Sequence, residues 1–331
     1  MSEGFNDITN WAAVVGEWDF SRARCVYRSP DETLGQPQLP YGICVSDVRF
    51  SGGTARTTIR FPRGAGVAGT AVVAAGVPAS VAGSVGAGVA GEGRLLFGYR
   101  SLADPYITVG LGGAGRAYTV YRFDPAFGWH CIAFAGSQRN LIADRLYNVS
   151  VRVLGQRILL EVDSVQVLEH VLETPLPQGQ LGLFAWGTTS VEFTQTSVSE
   201  EPGTVFVVMQ FSDPYQVVYE EVITKVAKEF KLRAYHAGEV YGPGVILEDI
   251  VNGIIDSKIV IAEVTEQNPN VYYELGYAHA LKKPTILLAE RGKKPPFDIS
   301  GYRHLFYENS IGGKSKIEDG LRKHLEAILR E

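Results

Sequence analysis

The sequence predicts two domains of different class: an all-β sandwich over residues 1–200 and a parallel α/β sheet over residues 204–331. Three observations carry this. Residues 1–200 contain fifteen arginines and no lysine, whereas the remaining 131 residues contain eleven lysines, beginning at Lys225. Short runs of β-branched and aromatic residues, many alternating with period two, fill the first part. In the second part continuous apolar runs alternate with segments of helical spacing. The boundary falls at Ser199-Glu-Glu-Pro-Gly203, a polar turn punctuated by Pro and Gly.

The 331 residues suffice for two independent cores. A net charge of −5 supplies no basic footprint for nucleic acid or an anionic membrane. Cys25, Cys44 and Cys131 lack CxxC or His-partnered spacing, so reduced thiols, a cytoplasmic setting and no metal site are expected. The acidic Glu3 and Asp7 and the lack of an apolar core argue against a signal peptide at the N-terminus. From Gly64 to Gly93 the chain holds nine Gly, nine Ala and seven Val, with Pro78 near the middle. Gly and Pro disfavour a helix by about 1 and 3 kcal/mol relative to Ala. This stretch therefore reads as an insertion loop or irregular hairpin, the alternative being an oligomerisation or membrane-contacting role.

The strand candidates of the first domain include Tyr106-Ile-Thr-Val-Gly, Ala117-Tyr-Thr-Val-Tyr-Arg, Tyr147-Asn-Val-Ser-Val-Arg-Val, Ile158-Leu-Leu-Glu-Val and Val191-Glu-Phe-Thr-Gln-Thr. The fragments Gly93-Arg-Leu-Leu-Phe-Gly-Tyr-Arg, Leu160-Glu-Val-Asp-Ser-Val-Gln-Val-Leu and Gly179-Gln-Leu-Gly-Leu-Phe-Ala-Trp, in that order, resemble concanavalin-like and laminin-G-like jelly rolls. That fold commonly binds carbohydrate or protein and sometimes hydrolyses glycans. Glycoside hydrolysis needs two carboxylates facing across a cleft. Asp124, Glu161 and Asp163 share no such spacing, so a binding or sensing role is expected. Trp129 and Trp186 read either as sugar-stacking residues or as sandwich core.

In the second domain, Val205-Phe-Val-Val-Met reads as a strand covered on both faces. Val218, Val222, Val226 and Phe230 form one helical stripe, and a second helix spans about 245–255. Ile259-Val-Ile-Ala and Thr285-Ile-Leu-Leu are further strands, separated by a helix over 268–283, and 317–330 forms a final amphipathic helix. The pattern predicts a flavodoxin-like sheet, with ligands at the C-terminal strand ends. Asn268 suits an N-cap and Pro269 the first helical turn, while Lys282, Lys283 and Pro284 suit the end. Asn270, Glu274 and Tyr277 share one face, beside the apolar stripe Val271, Leu275 and Ala278. Gly276 leaves room for close approach of a ligand or strand.

The run Asn268-Pro-Asn-Val-Tyr-Tyr-Glu-Leu-Gly-Tyr-Ala-His-Ala-Leu resembles bacterial TIR-like proteins and the nucleoside 2-deoxyribosyltransferases. Val205-Phe-Val-Val-Met-Gln-Phe-Ser, Leu247-Glu-Asp-Ile-Val-Asn-Gly-Ile-Ile and Pro296-Phe-Asp-Ile-Ser-Gly-Tyr-Arg match in order, so the likeness spans the domain. Both relatives cleave an N-glycosidic bond with a glutamate on this helix, and the matching residue is Glu274. An ionised carboxylate stabilises or captures an oxocarbenium-like transition state. NAD+ brings a cationic leaving group that needs no protonation, so one carboxylate can suffice.

The resemblance further implies ligand-facing positions at Phe211, Ser212 and Asn268; Asn270 and Tyr277, on the face of Glu274, are further substrate-contact candidates, and Asp249 reads either as a ribose contact or as a solvated helix carboxylate. Many TIR NADases carry a tryptophan where Asn270 stands. The segment His236–Gly244 occupies the position of the loop that mediates TIR assembly; a plain connector is the other reading. The leading expectation is a TIR-like NAD+ glycohydrolase, with NAD+ as substrate and no cofactor. It would serve bacterial antiphage defence as a homo-oligomer and be switched on by an unknown ligand or protein reaching the sandwich. The alternatives are a nucleoside or nucleotide N-glycosidase or 2-deoxyribosyltransferase, and a non-enzymatic nucleotide-signal binding module. Nicotinamide release, base exchange, and binding without turnover tell them apart.

Overall fold

The computed structural model describes residues 5–21, 23–29, 40–63, 89, 91–239 and 246–330. The chain divides into two compact units: Met1–Val153 with Ile158–His170 and Leu176–Glu201, and Pro202–Glu331 with Leu154–Arg157 and Val171–Pro175. The main division falls inside the polar turn at 199–203. The two short segments that join the second unit carry no signature in the sequence.

The first unit is built on two sheets. One has seven strands, in the order Gly128–Ala135, Tyr118–Asp124, Tyr106–Leu111, Gly91–Tyr99, Gly179–Gly187, Tyr41–Phe50 and Trp11–Val15, all antiparallel. The other has eight, running Val165–Val171, Arg157–Val162, Leu146–Leu154, Gly53–Arg60, Val191–Glu200, Arg24–Arg28 and Glu17–Ser21, with Asn6–Asp7 added on Val191–Glu200. Two glycines show how closely the sheets meet. A Cβ on Gly42 would lie 2.4 Å from the Tyr27 ring, and one on Gly93 would lie 2.9 Å from Ile59 and 3.0 Å from Val191. Each glycine lies in one sheet and its neighbours in the other, so the expected sandwich forms around residues such as Tyr27, Ile59, Leu95 and Phe193.

The Gly/Ala/Val-rich stretch needs one correction. Gly91, Glu92 and Gly93 are part of the strand Gly91–Tyr99 and not of an insertion, because Gly93 is needed at the inter-sheet contact. Residues 64–88 and 90 lie outside the described residues, as do 240–244 of the segment read as an assembly loop. Among the described residues no helix is long and apolar enough to cross a membrane.

Strands of the second unit are numbered here from its start: β1 (Thr204–Val208), β2 (Arg233–Tyr235), β3 (Ile259–Glu263), β4 (Thr285–Glu290) and β5 (His304–Tyr307). They form a parallel sheet in the order β2-β1-β3-β4-β5. The helices are α1 (Tyr215–Val218), which runs through a π-helical turn (Tyr219–Ile223) into α2 (Thr224–Glu229), then α3 (Ile246–Asp256), α4 (Pro269–Ala280), α5 (Phe297–Ser300) and α6 (Ile311–Arg330). Period-two alternation divides the strand side chains between two cores. Val205, Val207, Ile259, Ile261, Ile286 and Leu288 pack with Tyr219, Val226, Leu321 and Leu325. Phe206, Val208, Val260, Ala262, Leu287 and Ala289 face α3 and α4 through Ile254, Val271, Leu275 and Ala278. Strands β2 and β5 were not foreseen; with three and four residues they are too short to show a period.

Two details position α4. The Asn268 side chain accepts the Asn270 backbone N–H at 2.9 Å, with Pro269 in the first turn. At the other end Lys282 takes φ of 53°, and the N–H groups of Lys282 and Lys283 return to His279 and Ala278, a Schellman closure. The expected role of Lys283 at its own helix end needs correcting. Its ammonium donates to the carbonyls of Ile255 (2.7 Å) and Ser257 (2.6 Å) at the end of α3. Burial pushes this amine down to about 7.

Helix α3 seats against β1 through Gly253, where a Cβ would fall 2.4 Å from the Phe206 ring. Gly253→Val is expected to destabilise the second unit by about 1–3 kcal/mol through overpacking. Urea unfolding followed by circular dichroism would register it as a lower midpoint.

Candidate functional site

In a parallel sheet of this strand order, ligands collect outside the carboxyl ends of the strands where the order reverses, here between β1 and β3. The loop after β1 supplies Gln210, Phe211 and Ser212, and the loop after β3 leads into the N-terminus of α4. Gln210 joins the two: its amide donates to the Ser212 hydroxyl at 3.0 Å and its carbonyl accepts from the Asn268 amide at 3.4 Å. Ser212 and Asn268, expected to contact substrate, are thus linked through a residue the sequence reading passed over.

Phe211 is 51% exposed, unusual for phenylalanine. Its ring lies 4.3 Å from that of His236, which follows β2 and meets Tyr219 edge-on at 4.8 Å. The imidazole is held in one tautomer: Nδ1 accepts the Gly238 N–H at 3.1 Å, leaving Nε2–H to face Glu239 at 3.3 Å. The Tyr219 hydroxyl donates to the same Glu239 carboxylate. Burial lowers the His236 pKa while Glu239 opposes this, which favours a neutral ring.

Glu274 lies in the second turn of α4 and is half-buried. Among the described residues it has no hydrogen-bond or ion-pair partner, and burial alone pushes its carboxyl up to about 7. By helix geometry it stands about 9 Å along the axis from Asn268. Tyr277 packs on the core that α3 and α4 share, Asn270 is exposed, and Asp249 is half-buried on α3. Among the described residues a Cβ on Gly276 would meet nothing within 4 Å, so none of the described strands packs against it. His279 is half-buried, stacked at 4.3 Å on Tyr302.

Behind these residues lies a second carboxyl that the sequence reading missed. Glu263, the last residue of β3, is 2% exposed. It accepts the hydroxyls of Thr265 and, at 3.1 Å, Tyr307 of β5. Thr265 in turn accepts the Glu290 backbone N–H at 2.8 Å, and Tyr215 donates to Glu266 at 3.1 Å. This network ties the loop leading into α4 to β4 and β5. Desolvation outweighs its hydrogen bonds and pushes Glu263 up to about 7. The available signal was a lone carboxylate ending the otherwise apolar run Ile259-Val-Ile-Ala.

In the first unit, Trp129 and Trp186 sit on the face of the seven-stranded sheet turned away from its partner. Gly93 faces the partner sheet and pairs with Ala185, so Phe184 and Trp186 point the other way. Both tryptophans are half-buried: Trp186 stacks on Tyr41 at 5.9 Å, and Trp129 packs on Phe184 at 4.9 Å and Phe123 at 5.2 Å. Neither belongs to the inter-sheet core. Asp163 accepts the Asn148 backbone N–H at 2.9 Å and pairs with Arg145 at 2.9 Å, which gives it a turn-stabilising place.

No family model and no curated protein matches the chain. Among solved structures, carbohydrate binding module CBM66 from Bacillus subtilis is similar over 58% of this chain and 97% of its own, at 16% identity and a TM-score of 0.43. A Bacillus licheniformis beta-glucanase is similar over 61% of this chain and 100% of its own, at 10% identity and a TM-score of 0.38. A Bacillus subtilis protein described as having a galectin-like fold is similar over 58% and 90%, at 11% identity and a TM-score of 0.39. Likenesses this distant carry no argument about family or activity.

The sign of the Glu263 effect can be measured. Its folded pKa, about 7, lies above the ordinary carboxyl value of 4.5. The folded state therefore holds a proton that the unfolded state releases, and the resulting stability is fully present below pH 4.5 and lost as pH rises through 7. Glu263→Gln is expected to flatten this dependence and to stabilise the protein above pH 7 by about 1–3 kcal/mol. Urea unfolding across that pH range, with and without the substitution, would show it.

Proposed function

We propose that the second unit is a TIR-like N-glycosidase that cleaves the nicotinamide–ribose bond of NAD+, with Glu274 as the catalytic carboxylate. The observation that carries this is Glu274 itself, half-buried and without a partner among the described residues. Leaving a carboxylate desolvated and unpaired costs free energy, which an approaching cation offsets. A positively charged nicotinamide ring supplies that cation and pulls Glu274 toward its ionised form on binding. A neutral nucleoside does not, which favours NAD+ over a deoxyribosyltransferase substrate. The strand order, with its reversal between β1 and β3, fits the flavodoxin-like sheet that the resemblance implies.

In this reading Asn268, Ser212 and Gln210 hold the sugar and phosphate portion near the start of α4, where backbone N–H groups and the helix dipole favour anions. The exposed ring of Phe211, braced by His236, offers a flat surface for a base. As the ribose–nitrogen bond lengthens, Glu274 stabilises the positive charge on the sugar or captures C1′, water completes hydrolysis, and nicotinamide leaves as a neutral base. The jelly-roll-like sandwich recognises the activating ligand, and the chain works as a homo-oligomeric antiphage effector in the cytoplasm.

The test is chromatography of NAD+ incubated with the full chain at high protein concentration. Nicotinamide release is expected, falling by about 10³-fold or more in Glu274→Gln. The kcat/KM of the unsubstituted protein should climb as pH rises through about 7, where the free Glu274 carboxyl ionises. Base exchange between deoxynucleosides without nicotinamide release would instead establish the transferase.

A further inference from the structure

The outer face of the eight-stranded sheet carries a cavity of about 450 Å³ at its Glu17–Ser21 edge. Register defines its floor. Val26 lies at the centre, opposite Asp19 on one neighbouring strand and Glu192 on the other. Arg24 and Arg28 flank it on its own strand, each about 7 Å away. The four charges alternate around an apolar centre: Arg24 pairs with Glu192, and Arg28 with Asp19. Phe20, Ser21, Ser190 and Pro62 complete the wall.

The hydrogen-bonding capacity of this ring is unequal. Glu192 is held twice over, since Arg60 reaches it through Nε and Nη2, both at 2.7 Å, in addition to Arg24. These arginines keep its carboxyl below the usual range. Asp19 takes the Arg28 Nε–H at 2.6 Å. Among the described residues Arg24 commits only Nη2, and Arg28 only Nε and Nη2, of the five N–H groups each guanidinium offers. Both side chains are exposed, at 48% and 60%. Counting Arg60, the cluster has three cations and two anions. What remains uncommitted to protein acceptors among the described residues is donor capacity and positive charge, next to an apolar floor of Val26 and Pro62.

We propose that this cavity binds a small organic oxyanion, an apolar or aromatic body bearing one carboxylate or phosphate group. The oxyanion bridges Arg24 and Arg28 while the body rests on Val26 and Pro62. The volume lies in the range that small-molecule sites occupy. Planar guanidinium donors suit carboxylate and phosphate oxygens alike. The site lies wholly in the first unit and stands independently of the function proposed for the second.

Calorimetric titration of the full chain with phenyl phosphate, benzoate, inorganic phosphate and benzyl alcohol tests it. Binding of phenyl phosphate or benzoate is expected, with the stronger of the two identifying the oxyanion; inorganic phosphate should bind more weakly and benzyl alcohol not at all. Arg24→Gln and Arg28→Gln should each weaken binding about tenfold or more. Val26→Ser should weaken phenyl phosphate but not inorganic phosphate, and Arg139→Gln, at an exposed site elsewhere, should change nothing. Glu192 keeps Arg60 when Arg24 is replaced, and the Arg28 partner is itself exposed, so an unchanged unfolding midpoint certifies the variants. Absence of heat from both organic anions at millimolar concentration would overturn the proposal. So would equal binding by the folded Arg24→Gln/Arg28→Gln variant, or equal binding of benzyl alcohol.

Discussion

Strand Ile259–Glu263 is buried at every position, and the candidate site depends on that burial. Being central, the strand must offer apolar side chains to both faces: Ile259 and Ile261 toward one helical layer, Val260 and Ala262 toward the other. A strand covered on both faces has no solvated side on which to slip by one residue, so its register is strongly specified. Its end therefore places Glu263, Thr265 and the start of α4 at one level, beside the loop carrying Phe211 and Ser212.

Glu263 is the one expensive residue of that strand. A carboxyl at 2% exposure tends to stay protonated, and its acceptors are occupied by Thr265 and Tyr307. The return is positional, because the network couples the β3–α4 loop to the ends of β4 and β5. Glu274 presents a different case, desolvated without such a network. The contrast separates a carboxyl hydrogen-bonded by its own fold from one that has no partner among the described residues.

The first unit distributes its polar groups by other means. Gly42 and Gly93 let two sheets close on bulky partners, and aromatic rings accumulate on the outward side of the seven-stranded sheet. On the outward side of the eight-stranded sheet, cross-strand neighbours form the charge ring around Val26. Each arrangement follows from which side of a strand a residue occupies, a parity set by pairing partners far away in sequence.

Much of the chain is legible in its sequence alone. The lysine boundary, the period-two runs and the apolar strands Val205–Met209 and Ile259–Ala262 identified both classes of unit and most elements of the second. The α4 signals at Asn268 and Pro269 placed the start of that helix, since capping is a local interaction of adjacent residues. Strands β2 and β5 were hidden because three or four residues display no period. The hydrogen bonds that Lys283 gives to α3, the meeting of Phe211 with His236, and the buried place of Glu263 join residues tens of positions apart. Local pattern cannot encode such pairings. By itself the sequence determined the fold classes and the helix that carries Glu274; only the tertiary structure decided which charges are paired, which are left open, and which side of each sheet they face. Pairing and desolvation depend on neighbours brought together by folding.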